Sequence, residues 1–288
     1  MPSARHSASA ESAAGTPASA AFFDLDRTLM QGSSGFQFGR AAYRAGLLSR
    51  RQLVADAWAN VRFRLQGSTD EATRAVRDRI SASLAGVRVR DMERLGPDVL
   101  ALVLPRIYPR MLALAYEHQD AGRRVYIVTA ASRELAETLA HVLTFDGAIG
   151  SQFSAVSDGY YTGEPAGLFI YGADKARAVR RLAEREGIDL QVSYAYSDSA
   201  SDLPMLRAVG HPVVVNPDKD LLAEAREHGW EVLRFERLGR RLKAGIGLVG
   251  ALVAGGVGSA ALATRERRRG LAGNVGAIRD AARRRWRN

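Results

Sequence analysis

The stretch Ala21–Met30 runs from small and aromatic apolar residues into two carboxylates, Asp24 and Asp26. Side chains alternate along an extended chain, so residues two apart would point the same way at the end of a buried strand. Two like charges this close are costly without a cation, and Mg²⁺ takes oxygen ligands while leaving positions for water and phosphate. Taken alone, the pattern fits either a solvated turn or a buried strand that ends in a phosphate site.

Three later stretches favour the phosphate site. Arg124–Thr129 is a second buried strand, and it ends on a hydroxyl. Gly172–Lys175 places a lysine at the start of a helix, and Val192–Asp202 is a third strand followed by two carboxylates, Asp198 and Asp202. Each signal is weak by itself. Together they supply the carboxylates, hydroxyl and ammonium group that a magnesium and phosphate site needs.

This order of motifs resembles the haloacid dehalogenase (HAD) superfamily. The Ser-Asp-Ser-x-x-Asp-Leu-Pro-Met-Leu form of residues 197–206 is most similar to subfamily IB, the phosphoserine-phosphatase-like branch. The resemblance covers roughly residues 20–216. It implies an α/β fold, namely an HAD-like three-layer sandwich with a parallel sheet and an inserted helical cap. It also implies a Mg²⁺-dependent phosphatase that hydrolyses phosphate monoesters through an aspartyl-phosphate intermediate.

The resemblance assigns roles to the four carboxylates. Asp24 is the nucleophile and a metal ligand. Asp26 protonates the leaving alkoxide and later deprotonates the attacking water, while its backbone carbonyl joins the metal. Asp198 is the third metal ligand, and Asp202 anchors Asp198 or a metal-bound water. A carboxylate nucleophile divides the slow hydrolysis of a phosphate monoester into formation and breakdown of a covalent intermediate.

Thr129 and Lys175 bind the phosphate oxygens in the same resemblance. Strand propensity would also explain Thr129, and a surface position would also explain Lys175. The chain has only three lysines, however, and Lys175 falls where the family needs one. Asp202 also suits a helix N-cap, which is compatible with its functional role. Arg27 stands where the family varies and is assigned no catalytic part.

Composition and periodicity divide the chain into four regions. Residues 1–18 are rich in Ala, Ser, Gly and Pro, lack the apolar run of a secretory signal, and are expected to be disordered. Helical periodicity over residues 31–105 indicates the cap, whose 12 arginines against 7 acidic residues would favour anionic substrates. The predicted domains are a disordered 1–18, a catalytic core of 19–30 and 106–238, the cap of 31–105, and a tail of 239–288.

Local signals place further elements in the core. Strands that alternate with helices predict a mostly parallel sheet with its site at the carboxyl ends of the strands. The pair Asp158-Gly159 predicts a hairpin. The elements expected from these patterns are a hairpin at Ala155–Gly163 and helices at Arg133–Leu143, Lys175–Glu186 and Asp202–Val209.

The basic charge of the chain lies in its tail. The net charge is +10, yet residues 234–288 hold 14 Lys and Arg against 3 acidic residues, a net +11, which leaves residues 1–233 at −1. Ala244–Thr264 is 21 residues without a charge, long enough for a transmembrane helix. It holds six Gly and six Ala, so insertion is only weakly favoured. A hairpin dip, an interfacial helix and a soluble helix packed on the core stay open.

These features predict a membrane surface as partner, with the catalytic domain on the cytoplasmic side. Nucleic acid is not expected, because a single aromatic residue, Trp286, accompanies the tail arginines. The absence of cysteine excludes disulfides and thiolate metal sites and is compatible with a reducing compartment.

The substrate is less constrained than the chemistry. In phosphoserine phosphatases an acidic residue about nine positions after the nucleophile receives the substrate amine, and here that place is Ser33. This difference argues against phosphoserine. The alternative to a small-molecule phosphomonoester is a lipid phosphate of the phosphatidylglycerophosphate or lysophosphatidate type, favoured by the tail and the basic cap. A non-catalytic phosphate-ester binding module is the third hypothesis, and the second carboxylate, Asp26, argues against it.

Overall fold

A computed structural model describes residues 18–46 and 70–234 of the chain. The chain divides into two compact units, residues 1–233 and 234–288, and the elements below belong to the first. The helices are α1 (Ser34–Arg44), α2 (Asp70–Ser83), α3 (Val89–Glu93), α4 (Gly96–Val103), α5 (Pro109–Asp120), α6 (Arg133–Val142), α7 (Ala173–Glu186), α8 (Leu203–Leu206) and α9 (Lys219–Glu227). The strands are β1 (Ala20–Phe23), β2 (Arg124–Ser132), β3 (Gly147–Ser151), β4 (Ser154–Ser157), β5 (Tyr160–Pro165), β6 (Tyr194–Ser197), β7 (His211–Val215) and β8 (Glu231–Leu233).

Six strands form one parallel sheet in the order β3-β2-β1-β6-β7-β8. The chain leaves β1 toward β2 and β3, and then returns to β6 on the other side of β1. The order therefore reverses beside β1, and in open α/β sheets ligands bind at such a reversal, outside the carboxyl ends of the strands. This is the end of β1 that leads into Asp24.

Apolar side chains cover both faces of β1. Phe22 and Phe23 point to opposite faces and are fully buried, and burial of each contributes about 1.5–3 kcal/mol. The Phe22 face packs with β2, β7 and helices α7, α8 and α9 in one hydrophobic cluster. On the other face, the Phe23 ring stacks on Tyr196 and meets His118 of α5 edge-on. Helices therefore cover both faces, which confirms the predicted three-layer α/β sandwich.

The helical segment inserted between β1 and β2 is tied to the core at its base. The N–H of Gln31 donates to the carbonyl of Arg106 (2.7 Å), and the N–H of Tyr108 donates to the carbonyl of Leu29 (2.9 Å). The segment that leaves the core after β1 and the segment that returns to it before α5 are thus hydrogen-bonded to each other. The predicted domain boundaries themselves stay a prediction.

The hairpin expected at Ala155–Gly163 is confirmed as β4 and β5, which pair antiparallel. It also contacts the inserted segment. The N–H groups of Gly86 and Val89 donate to the carbonyls of Tyr161 (2.9 Å) and Gly159 (3.0 Å) of the hairpin. The segment after α2 therefore continues the hairpin edge by backbone hydrogen bonds.

Two sequence predictions need comment. The helix expected at Asp202–Val209 is a short 3-10 turn, Ala200–Asp202, followed by the four-residue α8. Among residues 18–46 and 70–234, no helix is long and apolar enough to cross a membrane. The predicted span Ala244–Thr264 lies outside the described residues. Of the segment 1–18 that is predicted to be disordered, residues 1–17 also lie outside them, while Ala18 is described and its carbonyl accepts from the N–H of Asp189 (2.8 Å).

Candidate active site

Asp24 is the first residue after β1. Its N–H donates to the carbonyl of Tyr196 (3.0 Å), which fixes the end of β1 against β6. The residue is only 6% exposed, although it carries a carboxyl group. A buried carboxylate is stable only with charged or hydrogen-bonding partners, so its surroundings decide what it can do.

Lys175 is the principal partner of Asp24. Its Nζ lies 2.5 Å from Asp24 Oδ1 and 2.8 Å from Asp202 Oδ2, and the side chain is buried. Gly172 precedes α7 with a φ of +54°, in the left-handed region where glycine is favoured, and this turn brings the first turn of α7 to the strand ends. The structure therefore joins three predicted site residues that lie 151 and 27 positions apart in sequence.

Asp202 is held by two donors. Its Oδ2 accepts from Lys175 and from the hydroxyl of Ser197 (2.7 Å), and both Asp202 and Ser197 are buried. Asp202 stands at the N-cap position of α8, as the sequence predicts, but its side chain makes no capping hydrogen bond there. Its carboxylate instead orients the lysine that contacts Asp24.

Asp198 follows β6 and is the least satisfied carboxylate of the site. Its Oδ2 is buried and has no hydrogen-bond partner, although Arg27 Nη2 lies 2.9 Å away. The guanidinium is thus within ion-pair distance of this oxygen, but its N–H groups are not oriented to donate a hydrogen bond to it. The backbone around Asp198 is nevertheless fixed, since its carbonyl accepts from the N–H of Asp218 (3.0 Å).

Burial raises the pKa of two of these carboxyl groups. The pKa of Asp24 rises to about 7 through burial, against the opposing charge of Lys175. The pKa of Asp198 rises to about 8 through burial and the nearby charge of Asp24, against the opposing charge of Arg27. For Lys175, burial alone would lower the pKa, but the carboxylates of Asp202 and Asp24 outweigh it and raise the pKa. The lysine therefore stays charged, while the positive charge near the carboxylates is too small to compensate for their burial.

Asp26 is hydrogen-bonded to the start of α1, and its negative charge is near enough to Asp24 to contribute to the raised pKa of Asp24. Its Oδ1 accepts from the N–H of Ser34 (2.7 Å), and its Oδ2 accepts from the hydroxyl of Ser33 (3.1 Å), at the start of α1. The expectation that Asp24 and Asp26 point the same way requires an extended chain, whereas β1 ends at Phe23 and a turn follows. Asp26 thus links the end of β1 to the first helix of the inserted segment.

Thr129 is buried in the strand next to β1. Its Oγ1 accepts from the N–H of Ala131 (3.1 Å). The sequence predicts that this strand ends at Thr129. In the structure it continues to Ser132, with an irregular pairing to β3. Phe23 pairs with Ile127 in register, so Thr129 lies beyond the end of β1, at the same edge of the sheet as Asp24.

The donor set of the site fits a hard divalent cation. Buried carboxylate oxygens, one of them the unsatisfied Oδ2 of Asp198, are the ligands that Mg²⁺ prefers. A cation near Asp24 and Asp198 would favour their charged forms. Asp26 would contribute its backbone carbonyl to the metal, while its side chain accepts hydrogen bonds from Ser33 and Ser34. Among the described residues, the group of three acidic or histidine side chains close enough to share an ion lies elsewhere, at Glu224, Glu227 and His228 at the C-terminal end of α9.

Sequence reasoning missed four residues that shape this site. Ser197 holds Asp202, Ser33 holds Asp26, Arg27 faces Asp198, and Asp218 fixes the loop after β6 by accepting from the N–H of Ala200 (3.1 Å). Asp218 also caps α9 by accepting from the N–H of Leu221 (2.8 Å). The Ser-Asp-Ser pattern and the Asn-Pro-Asp turn were available as signals, but which side chain meets which depends on the tertiary fold.

Comparison with known proteins extends these observations. Residues 21–207 match the haloacid dehalogenase-like hydrolase family. The phosphoserine phosphatase SerB1 of Mycobacterium tuberculosis (strain ATCC 25618 / H37Rv) is 40% identical over 253 residues, covering 86% of this chain and 80% of that protein. The inhibition of morphological differentiation protein of Streptomyces azureus is 39% identical over 222 residues, covering 77% of this chain and 80% of that protein.

A solved structure of a substrate-bound phosphoserine phosphatase complex has the same fold. It aligns with a TM-score of 0.55 and 18% sequence identity, covering 80% of this chain and 99% of that one. At this identity the likeness concerns the fold alone.

Proposed function

The chain belongs to the haloacid dehalogenase-like hydrolase family and is a phosphatase, and we propose that it is Mg²⁺-dependent and works through an aspartyl-phosphate on Asp24. The observation that carries this proposal is the buried contact of Lys175 Nζ with Asp24 Oδ1 (2.5 Å). It places a fixed positive charge at the carboxylate that would attack phosphorus. A preorganised charge of this kind stabilises a transition state whose negative charge lies on the phosphoryl oxygens.

In the first step, an oxygen of ionised Asp24 forms a bond to phosphorus while the ester P–O bond breaks. The Asp26 carboxyl gives its proton to the leaving alkoxide. In the second step, Asp26 takes a proton from water, the water oxygen attacks phosphorus, and inorganic phosphate leaves Asp24. The Ser33 hydroxyl and the Ser34 N–H donate to Asp26 and hold its carboxyl group in place.

Lys175 and Thr129 would hold the phosphoryl oxygens during both steps. Asp202 keeps the lysine in place, because Asp202 itself is fixed by Ser197. Mg²⁺, when bound by Asp24, Asp198 and the carbonyl of Asp26, would neutralise the carboxylates and the phosphate charge. Burial of the site excludes water and strengthens these interactions.

The substrate we propose is a small phosphomonoester. The name of the relative SerB1 supports an amino acid phosphate, but Ser33 offers no carboxylate to a substrate amine and donates its hydroxyl to Asp26. Turnover should therefore extend to phosphomonoesters without an amine. Turnover of phosphoserine, sugar phosphates, lysophosphatidate and phosphatidylglycerophosphate would separate these classes. Each substrate would be tested with the full-length protein and with a protein that lacks the tail.

Membrane association remains a proposal that rests on the sequence of the tail. Arginines flank the uncharged stretch Ala244–Thr264, and a tethered enzyme would meet lipid headgroups at high effective concentration. Fractionation of full-length protein and of a chain ending near Arg237 tests it. A full-length protein that stays entirely in the soluble fraction would contradict both the tether and the cytoplasmic-leaflet location.

Hydrolysis of an aryl phosphate with added Mg²⁺ tests the proposed chemistry. Chelation of the metal should abolish turnover, and Asp24→Asn should lower it by about 10⁴-fold or more, as for loss of a covalent nucleophile. Asp158→Asn, at an exposed hairpin turn with a φ of +51° that Asn tolerates, is the matched control. Undiminished turnover in Asp24→Asn would refute the mechanism. Metal-dependent binding of phosphate esters without turnover would support the binding-module hypothesis.

A further inference from the structure

Arg27 is a charged residue that the proposed mechanism does not use. Its Nη2 lies 2.9 Å from Asp198 Oδ2, and its side chain is 42% exposed while that of Asp198 is 5% exposed. Arg27 thus extends from the solvent side of the site toward a buried carboxylate. Its backbone φ of +66° is uncommon for residues other than glycine, asparagine and aspartate, and it belongs to the turn that follows Asp26.

The contact between Arg27 and Asp198 is electrostatic and loosely directed. Asp198 Oδ2 has no hydrogen-bond partner, so the guanidinium supplies charge without the geometry of a full bidentate pair. An arginine with this much exposure loses little when it turns back to water. The arginine can therefore leave at low cost once another cation compensates the buried charge of Asp198.

The same oxygen is the atom that fits a divalent cation. Asp198 Oδ2 is buried and unsatisfied, and Lys175 contacts Asp24 and Asp202 rather than Asp198. Arg27 is the cation placed within ion-pair distance of Asp198 among the described residues. A guanidinium and a divalent ion near one oxygen repel each other, so both cannot hold it fully.

We propose that Arg27 is a positioning residue that occupies Asp198 in the metal-free protein and competes with Mg²⁺ for the Asp198 carboxylate. This inference rests on the proposed function, because it takes Asp198 as a metal ligand. Arg27 keeps a buried charge compensated before the metal arrives and weakens metal affinity by the free energy of the pair. Once displaced, its guanidinium lies on the exposed side of the site, where it adds positive charge for an anionic substrate.

Calorimetric titration of the full chain with Mg²⁺ tests the competition directly. Arg27→Met removes the charge and keeps much of the side-chain length, and it should bind Mg²⁺ about two- to fivefold more tightly than the unmodified protein. Arg27→Lys retains the charge and should stay close to the unmodified affinity. Added salt should narrow the difference between Arg27→Met and the unmodified protein, because an exposed pair is screened.

Arg124→Met is the matched control. Arg124 is 44% exposed and pairs with Glu186 at the opposite, amino end of β2, so its loss removes an equal charge without affecting Asp198. Thermal unfolding of each variant checks that it is folded. Equal or weaker Mg²⁺ affinity in Arg27→Met, with hydrolysis still dependent on Asp24, would overturn the role of Arg27 alone. An unmodified protein that neither binds Mg²⁺ nor hydrolyses phosphate esters would overturn the proposed function and the competition together.

Discussion

Two buried polar clusters lie along β1 and β6, and they are built on opposite principles. At the carboxyl ends of these strands, Asp24, Asp198, Asp202 and Lys175 form a cluster of charged groups. On the Phe23 face of the same strands, His118 forms a second cluster with Tyr196 and Arg123. The first leaves a buried oxygen unsatisfied, whereas the second gives its buried imidazole two partners.

The His118 cluster shows what a structural buried network looks like in this chain. Arg123 Nε donates to His118 Nδ1 (2.6 Å), so the proton of the neutral ring belongs on Nε2, which lies 2.7 Å from the Tyr196 hydroxyl. Burial and the charge of Arg123 lower the pKa of His118 to about 4. The ring is therefore neutral and satisfied, and it needs no ligand.

The charged cluster has the opposite property. Three carboxyl groups face one buried lysine and one half-exposed arginine, and burial raises the pKa of Asp24 and Asp198. Such an arrangement reduces stability unless a cation is added. The comparison teaches that a site for chemistry is recognised in this fold by incomplete compensation of charge rather than by burial of polar groups as such.

Removal of the buried lysine should have the largest effect on stability. Lys175→Met leaves Asp24 and Asp202 buried without their shared cation, and we expect a loss of about 3–5 kcal/mol in the free energy of unfolding. Urea denaturation measures it, with the exposed Lys219→Met as the matched control. A loss below about 1 kcal/mol would mean that the cluster is less dependent on this ion pair than its burial indicates.

Removal of the unsatisfied carboxylate should act in the opposite direction. Asp198→Asn deletes one negative charge from an over-charged cluster, so the metal-free protein should gain about 1–3 kcal/mol in unfolding free energy at pH 8. The same variant should lose Mg²⁺ binding. Denaturation with and without Mg²⁺ measures both effects, and a clear destabilisation of the metal-free variant would break the contrast with the neutral cluster.

Lowering the pH should change the contributions of the two clusters to stability in opposite directions. The folded pKa of His118, about 4, is below its unfolded value of 6.5, so its contribution to stability is complete above about pH 6.5 and is lost as pH falls toward 4. Asp24 and Asp198 have raised pKa values, so the metal-free charged cluster gains stability over the same fall. Between pH 7 and 5.5, His118 alone should lower the free energy of unfolding by about 1 kcal/mol.

His118→Gln isolates that term. Glutamine can accept from Arg123 and donate to Tyr196 without titrating. Unfolding free energies of both proteins over pH 4–7, without metal, give the difference curve. The unfolding free energy of the unmodified protein should fall relative to that of His118→Gln as the pH falls. A difference between the two that stays constant over this range would show that His118 is not held neutral by its partners.

Much of the fold could be predicted from local patterns. The apolar runs before Asp24, Thr129 and Asp198 fixed three neighbouring strands, because buried parallel strands read as continuous apolar stretches. The Asp158-Gly159 turn likewise identified the hairpin. These signals depend on residues close in sequence, which is why they are readable without the fold.

The hydrogen bonds and ion pairs between the side chains of the site could not be predicted in the same way. That Lys175 meets both Asp24 and Asp202 follows from the position of α7 on the sheet. That Asp26 turns toward Ser33 follows from the end of β1 at Phe23, one residue before the motif. Arg27 stands where the family varies, and its neighbours in sequence do not indicate its contact with Asp198, which lies far along the chain. The roles of the site residues in catalysis stay predictions.

Detection of the covalent intermediate tests the central role of Asp24 most directly. The full chain would be mixed with Mg²⁺ and a phosphomonoester substrate, quenched in acid within a turnover, digested and mapped by mass spectrometry. We expect one phosphoryl group on the Asp24 carboxylate, absent from Asp24→Asn and from protein treated with a metal chelator. Active enzyme that carries no phosphoryl group, or carries it on another residue, would contradict a mechanism built on Asp24 and its contact with Lys175.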